Sequence, residues 1–163
     1  MFKQEKGITL VSLVITIIIM LILAGVSLSM VMGDGSLLDQ ANAAVDNTEL
    51  GTVKDEVGVA VAGAQTNYYA TFANTTRSTL IDELIKLPAT EFASANSITI
   101  HYPTDKVVTA ADDTTLYYTA SSNAIYKVVL DITANTIKVV SVEKTTLTAV
   151  PEVASGFTAK SLS

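Results

Sequence analysis

Polar and apolar positions divide this chain near residue 33. Between Lys6 and Asp34 no side chain can ionise, and ITLVSLVITIIIMLILAGVSLSMVM is apolar on every face of a helix, not along one stripe. At about 1.5 Å per residue such a helix reaches roughly 40 Å, more than the roughly 30 Å of a bilayer core. The pattern then changes. Gly33-Asp34-Gly35-Ser36 predicts a break, with Ser36 as the N-cap of a second helix. Val53, Val57, Ala60, Val61, Ala64, Tyr68 and Phe72 recur at three- and four-residue steps and predict an amphipathic helix over about 36–74. Leu37, Leu38, Ala41, Ala44 and Val45 carry the helical pattern back toward the break. Gly51, Gly58 and Gly63 weaken that helix, so it needs a sheet to pack against.

Residues 74–77 predict a loop, and 79–87 a short helix stopped by Pro88. The period then falls to two. Strands are predicted at about 97–102, 115–119, 124–132 and 136–143, with 106–109 as a short extra strand. Asp131 to Asn135 predicts a hairpin turn with Asn135 at positive φ. The tail, 144–163, offers Val150, Val153, Phe157 and Leu162 to pack on the sheet. The expected fold class is α+β: a long N-terminal helical spine, apolar anchor plus amphipathic half, packed on a small antiparallel meander of three to five strands.

Composition narrows the chemistry. With no Cys, the chain has no disulfide, Cys-bound zinc, iron–sulfur cluster or thiol-attached haem. A net charge of −6 with only 10 Lys and Arg makes nucleic acid an unfavourable partner. Lys3 and Lys6 precede the apolar run, whereas Asp34, Asp39, Asp46 and Glu49 come after it. The positive-inside rule puts the N-terminus in the cytoplasm and 34–163 outside. Two simpler readings compete: a secretory signal, for which Ser27 and Ser29 form a small-x-small pair, and a plain signal anchor.

The segment KGITLVSLVITIIIMLILAGVSL, a basic leader ending in Lys6-Gly7 and then Ile8-Thr9-Leu10-Val11 opening an apolar helix, resembles the class III signal of type IV prepilins. It is most similar to the pilin-like proteins of clostridia-type Firmicutes. The resemblance is strong over about 1–35 and loose over the following helix. It implies a pilin fold with a leader at 1–7, a transmembrane and filament-core helix at 8–33 and an extracellular head at 34–163. It implies that prepilin peptidase cuts between Gly7 and Ile8, that Ile8 is N-methylated, and that an assembly platform and ATPase then move the subunit from membrane lipid into a helical polymer of its own copies. No enzymatic activity or cofactor is expected. One departure is Ser12, which stands at the fifth mature position where most type IV pilins carry Glu. It favours a pseudopilin or minor pilin of a secretion or DNA-uptake machine as the alternative to a main filament subunit.

Two stripes on the apolar helix are candidate assembly contacts, together with Leu10. Thr9, Ser12 and Thr16 place three hydroxyls on one face, either for neighbouring helices or for their own preceding carbonyls. Gly25, Ser29 and Gly33 place small residues where helices approach closely, and make 25–35 the stretch expected to be partly unwound. Elsewhere the signals are weak. His101 is the single histidine and is expected at the surface of a strand end; an anchored hydrolase using it or an Asp would be a third function class, beside a non-polymerising surface binding module. Asp105, Asp112 and Asp113 could supply oxygen ligands to a weak Ca²⁺ site, though without EF-hand spacing, and otherwise form a solvated loop. Tyr68-Tyr69 and Tyr117-Tyr118 are expected to split between core and surface.

Overall fold

The computed structural model describes residues 5–33, 35–70, 77–110, 112–133 and 136–162; for 5–9 and 77–79 it describes the backbone alone. The chain forms helices α1 (Glu5–Met32), α2 (Leu37–Ala70) and α3 (Arg77–Ile85), and strands β1 (Ala95–Pro103), β2 (Thr114–Ala120), β3 (Ile125–Ile132), β4 (Ile137–Lys144) and β5 (Phe157–Ser161). It is an α+β fold. It comprises two units, Met1–Asn47 and Thr48–Ser163.

In the first unit α1 ends where Gly33 N–H bonds the Ser29 carbonyl at 2.8 Å. A Cβ on Gly33 would lie 2.6 Å from that carbonyl oxygen, so only glycine closes the helix this way. Gly35 comes next at φ +78°, the left-handed region glycine occupies without strain. Ser36 then caps α2 as expected. Its hydroxyl accepts from Asp39 N–H at 3.2 Å, and its carbonyl opens the ladder by accepting from Gln40 N–H at 3.0 Å. The break is therefore confined to 33–36. Within the 25–35 stretch expected to be partly unwound in a filament, α1 of the single chain is continuous through Gly25 to Met32 and the helix is interrupted only after it. One interior glycine costs about 1 kcal/mol of helix propensity, too little to melt a helix of this length.

In the second unit α2 buries Val53, Val57, Ala60, Val61, Ala64 and Tyr68, the predicted stripe; Phe72 lies outside the described residues. They pack against one face of a five-stranded antiparallel sheet, order β4-β3-β2-β1-β5. The face comprises Ile98, Ile100 and Tyr102 of β1, Leu116 and Tyr118 of β2, and Tyr126, Val128, Leu130 and Ile132 of β3. Leu80, Ile81 and Leu84 of α3, then Leu87 and Phe92, close the same core.

Two tyrosines in that core bring hydroxyls that need partners. Tyr126 donates to Glu49 at 2.7 Å and Tyr118 to Glu56 at 2.7 Å, and Glu56 also accepts from Ser94 N–H at 3.0 Å. Glu49 and Glu56 are seven residues apart, two helical turns, and so share the face of α2 that carries Val53. Burial, and after it Glu56, raises the Tyr118 phenol far above its ordinary value, so it stays a donor at any physiological pH.

The β-region adds four findings. The expected strand at 106–109 is a loop, because Lys106 adopts φ 56° and the Asp113 carboxylate accepts from Thr109 and Ala110 N–H at 2.5 and 2.7 Å, removing those groups from any ladder. Lys106 itself pairs with Asp82 of α3. The tail supplies β5, which pairs with β1 from Thr99↔Ser161 to Pro103↔Phe157 and buries Leu162. The β2–β3 hairpin carries its positive φ, 67°, at Asn123; the turn expected at Asn135 lies outside the described residues. A 3₁₀ turn, Ala89–Glu91, succeeds Pro88.

These contacts set expectations for unfolding of the full chain in detergent, followed by chemical denaturation. Leu116→Ala, at the centre of the sheet and fully buried, lowers stability by about 2–5 kcal/mol. Tyr118→Phe costs about 1 kcal/mol. Thr114→Val is neutral or stabilising, since the Thr114 hydroxyl is buried with no hydrogen-bond partner among the described residues.

Candidate functional site

The most unusual surface of this protein is α1. Every side chain from Leu10 to Met32 is exposed. Its most apolar 18-residue window has a mean hydropathy of 2.8 and no buried residue. Fully burying a Leu, Ile or Val is worth roughly 1.5–3 kcal/mol. More than a dozen such side chains left in water would cost on the order of tens of kcal/mol, beyond the roughly 5–15 kcal/mol that holds a domain together. The helix is long and apolar enough to cross a membrane, and its backbone groups are satisfied within the helix, as a bilayer requires.

The candidate assembly residues all fall on this helix or at its end. Gly7, Ile8 and Thr9 are in α1, which begins at Glu5; the side chains of Ile8 and Thr9 lie outside the described residues. Leu10 and Ser12 are exposed. Thr16 is exposed too, and its hydroxyl donates to the Leu13 carbonyl at 2.8 Å, the local choice of the two expected for this stripe. Gly33 is accounted for by the helix end. Gly25 is not: a Cβ there would meet nothing within 4 Å, so no contact in this chain calls for glycine. The same holds of Gly51, Gly58 and Gly63 in α2.

A second feature lies in the head, on the sheet face turned away from α2. There β1 and β2 present His101 and Tyr117, with ring centroids 4.8 Å apart. Residues between β4 and β5 line the same place, forming with Asp112 and Thr115 an open cleft of about 220 Å³ that includes Pro151, Glu152 and Phe157. A type II-like turn brings the chain back: Phe157 N–H bonds the Ala154 carbonyl at 3.1 Å, with Gly156 at φ +88°.

This corrects three expectations. His101 is not a surface residue but is 9% exposed, and burial lowers its pKa from 6.5. Tyr68 and Tyr69 do split between core and surface, but Tyr117 and Tyr118 are both buried, on opposite faces of the sheet. Glu49, read from the sequence only as part of the acidic flank after the apolar run, is a hydrogen-bond acceptor for the core. Position in the alternating pattern could have flagged His101 as paired with Tyr117's face; that the tail covers both could not be read from either strand. The three aspartates do not converge. Asp113 is turned onto Thr109 and Ala110, which lowers its pKa, and Asp105 accepts from Val107 N–H at 3.0 Å. Among the described residues no three His, Asp or Glu side chains are grouped to hold a metal ion.

No protein-family model, curated protein or solved structure matches the chain.

Burial of neutral His101 gives stability a pH dependence of defined sign. Because its folded pKa lies below 6.5, the unfolded chain binds the proton first. This contribution is complete above about pH 6.5 and is lost as pH falls toward the folded value. The melting midpoint of the head is expected to drop through that window, and His101→Gln to remove that part of the drop. The imidazole signals should titrate with a midpoint below 6.5; a midpoint above it would contradict the burial.

Proposed function

We propose that this chain is the structural subunit of a type IV pilus-like filament. It is made as a single-pass membrane precursor and polymerises through α1 once prepilin peptidase has cut between Gly7 and Ile8. The observation that carries this reading is the apolar exposure of α1 on all sides, placed directly after a basic leader ending in Lys6-Gly7. A lone anchor needs the first feature only. The second supplies a processing point at the water boundary, and glycine, without a Cβ, leaves the scissile carbonyl open.

The physical sequence is an exchange of surroundings. In the membrane Leu10 to Met32 contact lipid, with the basic leader inside and the acidic flank outside. After cleavage and extraction by an assembly platform and its ATPase, the same side chains contact copies of themselves. Lipid and leucine are equally apolar, so the net drive is packing, not transfer from water. Gly25 fits that picture, since its missing side chain serves nothing within the chain and lets a neighbouring helix come close. The head faces water, and its sheet sets the filament surface. Ser12, which leaves the new ammonium of Ile8 without the usual carboxylate, favours a minor or pseudopilin role as the second reading.

Intact-mass analysis of the native protein tests the first step: the mature chain should begin at Ile8 and carry an added methyl group. A native chain that begins at Met1 and remains monomeric in the membrane would leave only an anchored surface domain. Gly25→Leu separates folding from assembly. It should leave the head's unfolding midpoint unchanged while filament yield, by electron microscopy, falls to background.

A further inference from the structure

We propose that the cleft over His101 and Tyr117 is a binding site for a small organic cation, an alkylammonium or guanidinium group. The inference stands apart from the filament reading, since every residue it uses lies in the head.

The first argument is incomplete bonding. His101 and Tyr117 are 9% and 8% exposed, and neither polar side chain has a hydrogen-bond partner among the described residues. Their polar atoms are not sealed in: Thr114 Oγ1 is the one fully enclosed side-chain atom without a partner among the described residues. The imidazole and phenol therefore meet the space of the cleft, where a guest can bond them.

The second argument is charge. The lining contains no Lys or Arg. Asp112 and Glu152 stand exposed at the rim, whereas the Asp113 carboxylate is already committed to Thr109 and Ala110. The rim carboxylates and the chain's net charge of −6 disfavour an anion, with Lys127, opposite Tyr117 in the β2–β3 register, the basic residue next to the lining. Among the described residues no three ligating side chains are grouped for a metal ion. An organic cation is suited on both sides: carboxylates can take its N–H groups, and the rings of Tyr117 and Phe157, which line the cleft, can attract its charge.

The third argument is size. About 220 Å³ is below the roughly 300 Å³ at which pockets for drug-sized ligands begin. It has room for one basic side chain or one small amine, not for an oligosaccharide or a nucleotide.

The single histidine gives an unambiguous probe. The full chain in detergent micelles is titrated with n-butylammonium, N-acetyl-lysine methylamide and N-acetyl-arginine methylamide, with methyl glucoside and N-acetyl-glutamate methylamide as neutral and anionic controls, while the His101 imidazole resonances are followed by NMR. Saturable shifts with the cations alone are expected. The double variant Asp112→Asn, Glu152→Gln, which changes only exposed rim residues, should bind about tenfold more weakly or worse. Butylammonium binding as tightly as the amino-acid amides points to a free amine as the natural guest; tighter binding of the amides points to a basic side chain of a partner. No saturable shift with any cation, an equal response to methyl glucoside, or undiminished binding by the double variant each overturns the proposal.

Discussion

The structure depends on one constraint: among the described residues nothing buries the apolar side chains of α1. Its side chains are exposed from Leu10 to Met32. A water-facing helix of that composition is excluded by the size of the hydrophobic term, so it calls for apolar surroundings, and it is long and apolar enough to cross a membrane. The remainder of the chain is consistent with that division. The head builds its own core from α2, α3 and the sheet and borrows nothing from the residues that make α1 apolar.

Helix α2 shows how one element serves two environments. Its opening turns, with Leu37, Leu38 and Val45, are exposed, and burial begins at Val53. The transition is made with carboxylates. Glu49 and Glu56 sit two turns apart on the sheet-facing side and accept the hydroxyls of Tyr126 and Tyr118. Each bond fixes the rotation of the helix against the sheet as well as its distance, which Val and Ala contacts alone, being non-directional, would leave less defined. The register also sets Lys127 opposite Glu143 and Asp131 opposite Lys138, placing unlike charges in cross-strand positions.

The legible parts of the sequence were those with a strong period or a local rule. The α2 stripe, the Ser36 cap and four strands derive from spacing and side-chain chemistry, and the structure places them within a residue or two of expectation. The misses share one cause, which is a contact between distant segments. Residues 106–109 have strand-like composition, but Asp113 captures their N–H groups. Residues 157–161 offer Phe157, with Leu162 just beyond, to pack on the sheet but do not read as a strand, yet β1 offers an open edge to pair with. His101 looks like a strand-end residue until Pro151 and Phe157 come over it. No periodicity within one segment reports such pairings.

That last contact also explains why the far face of the sheet is not simply polar. Ser97, Thr99 and Thr119 are the hydroxyl-bearing, partly or fully exposed residues expected of a face in water. At one end of the same face His101, Thr115 and Tyr117 are buried instead. Covering them takes the chain from β4 back to the opposite edge of the sheet, and that crossing lets β5 pair with β1. Fold and cleft thus have the same origin: the return path of the tail closes the sheet edge and, in passing over the outer face, leaves a recess with carboxylates on its rim and aromatic rings at its base. A tail that ended at Lys144 would lose both together. The recess is therefore a consequence of the topology, whereas the choice of Asp112 and Glu152, with no Lys or Arg among the lining residues, is a property of the sequence and gives the recess its charge.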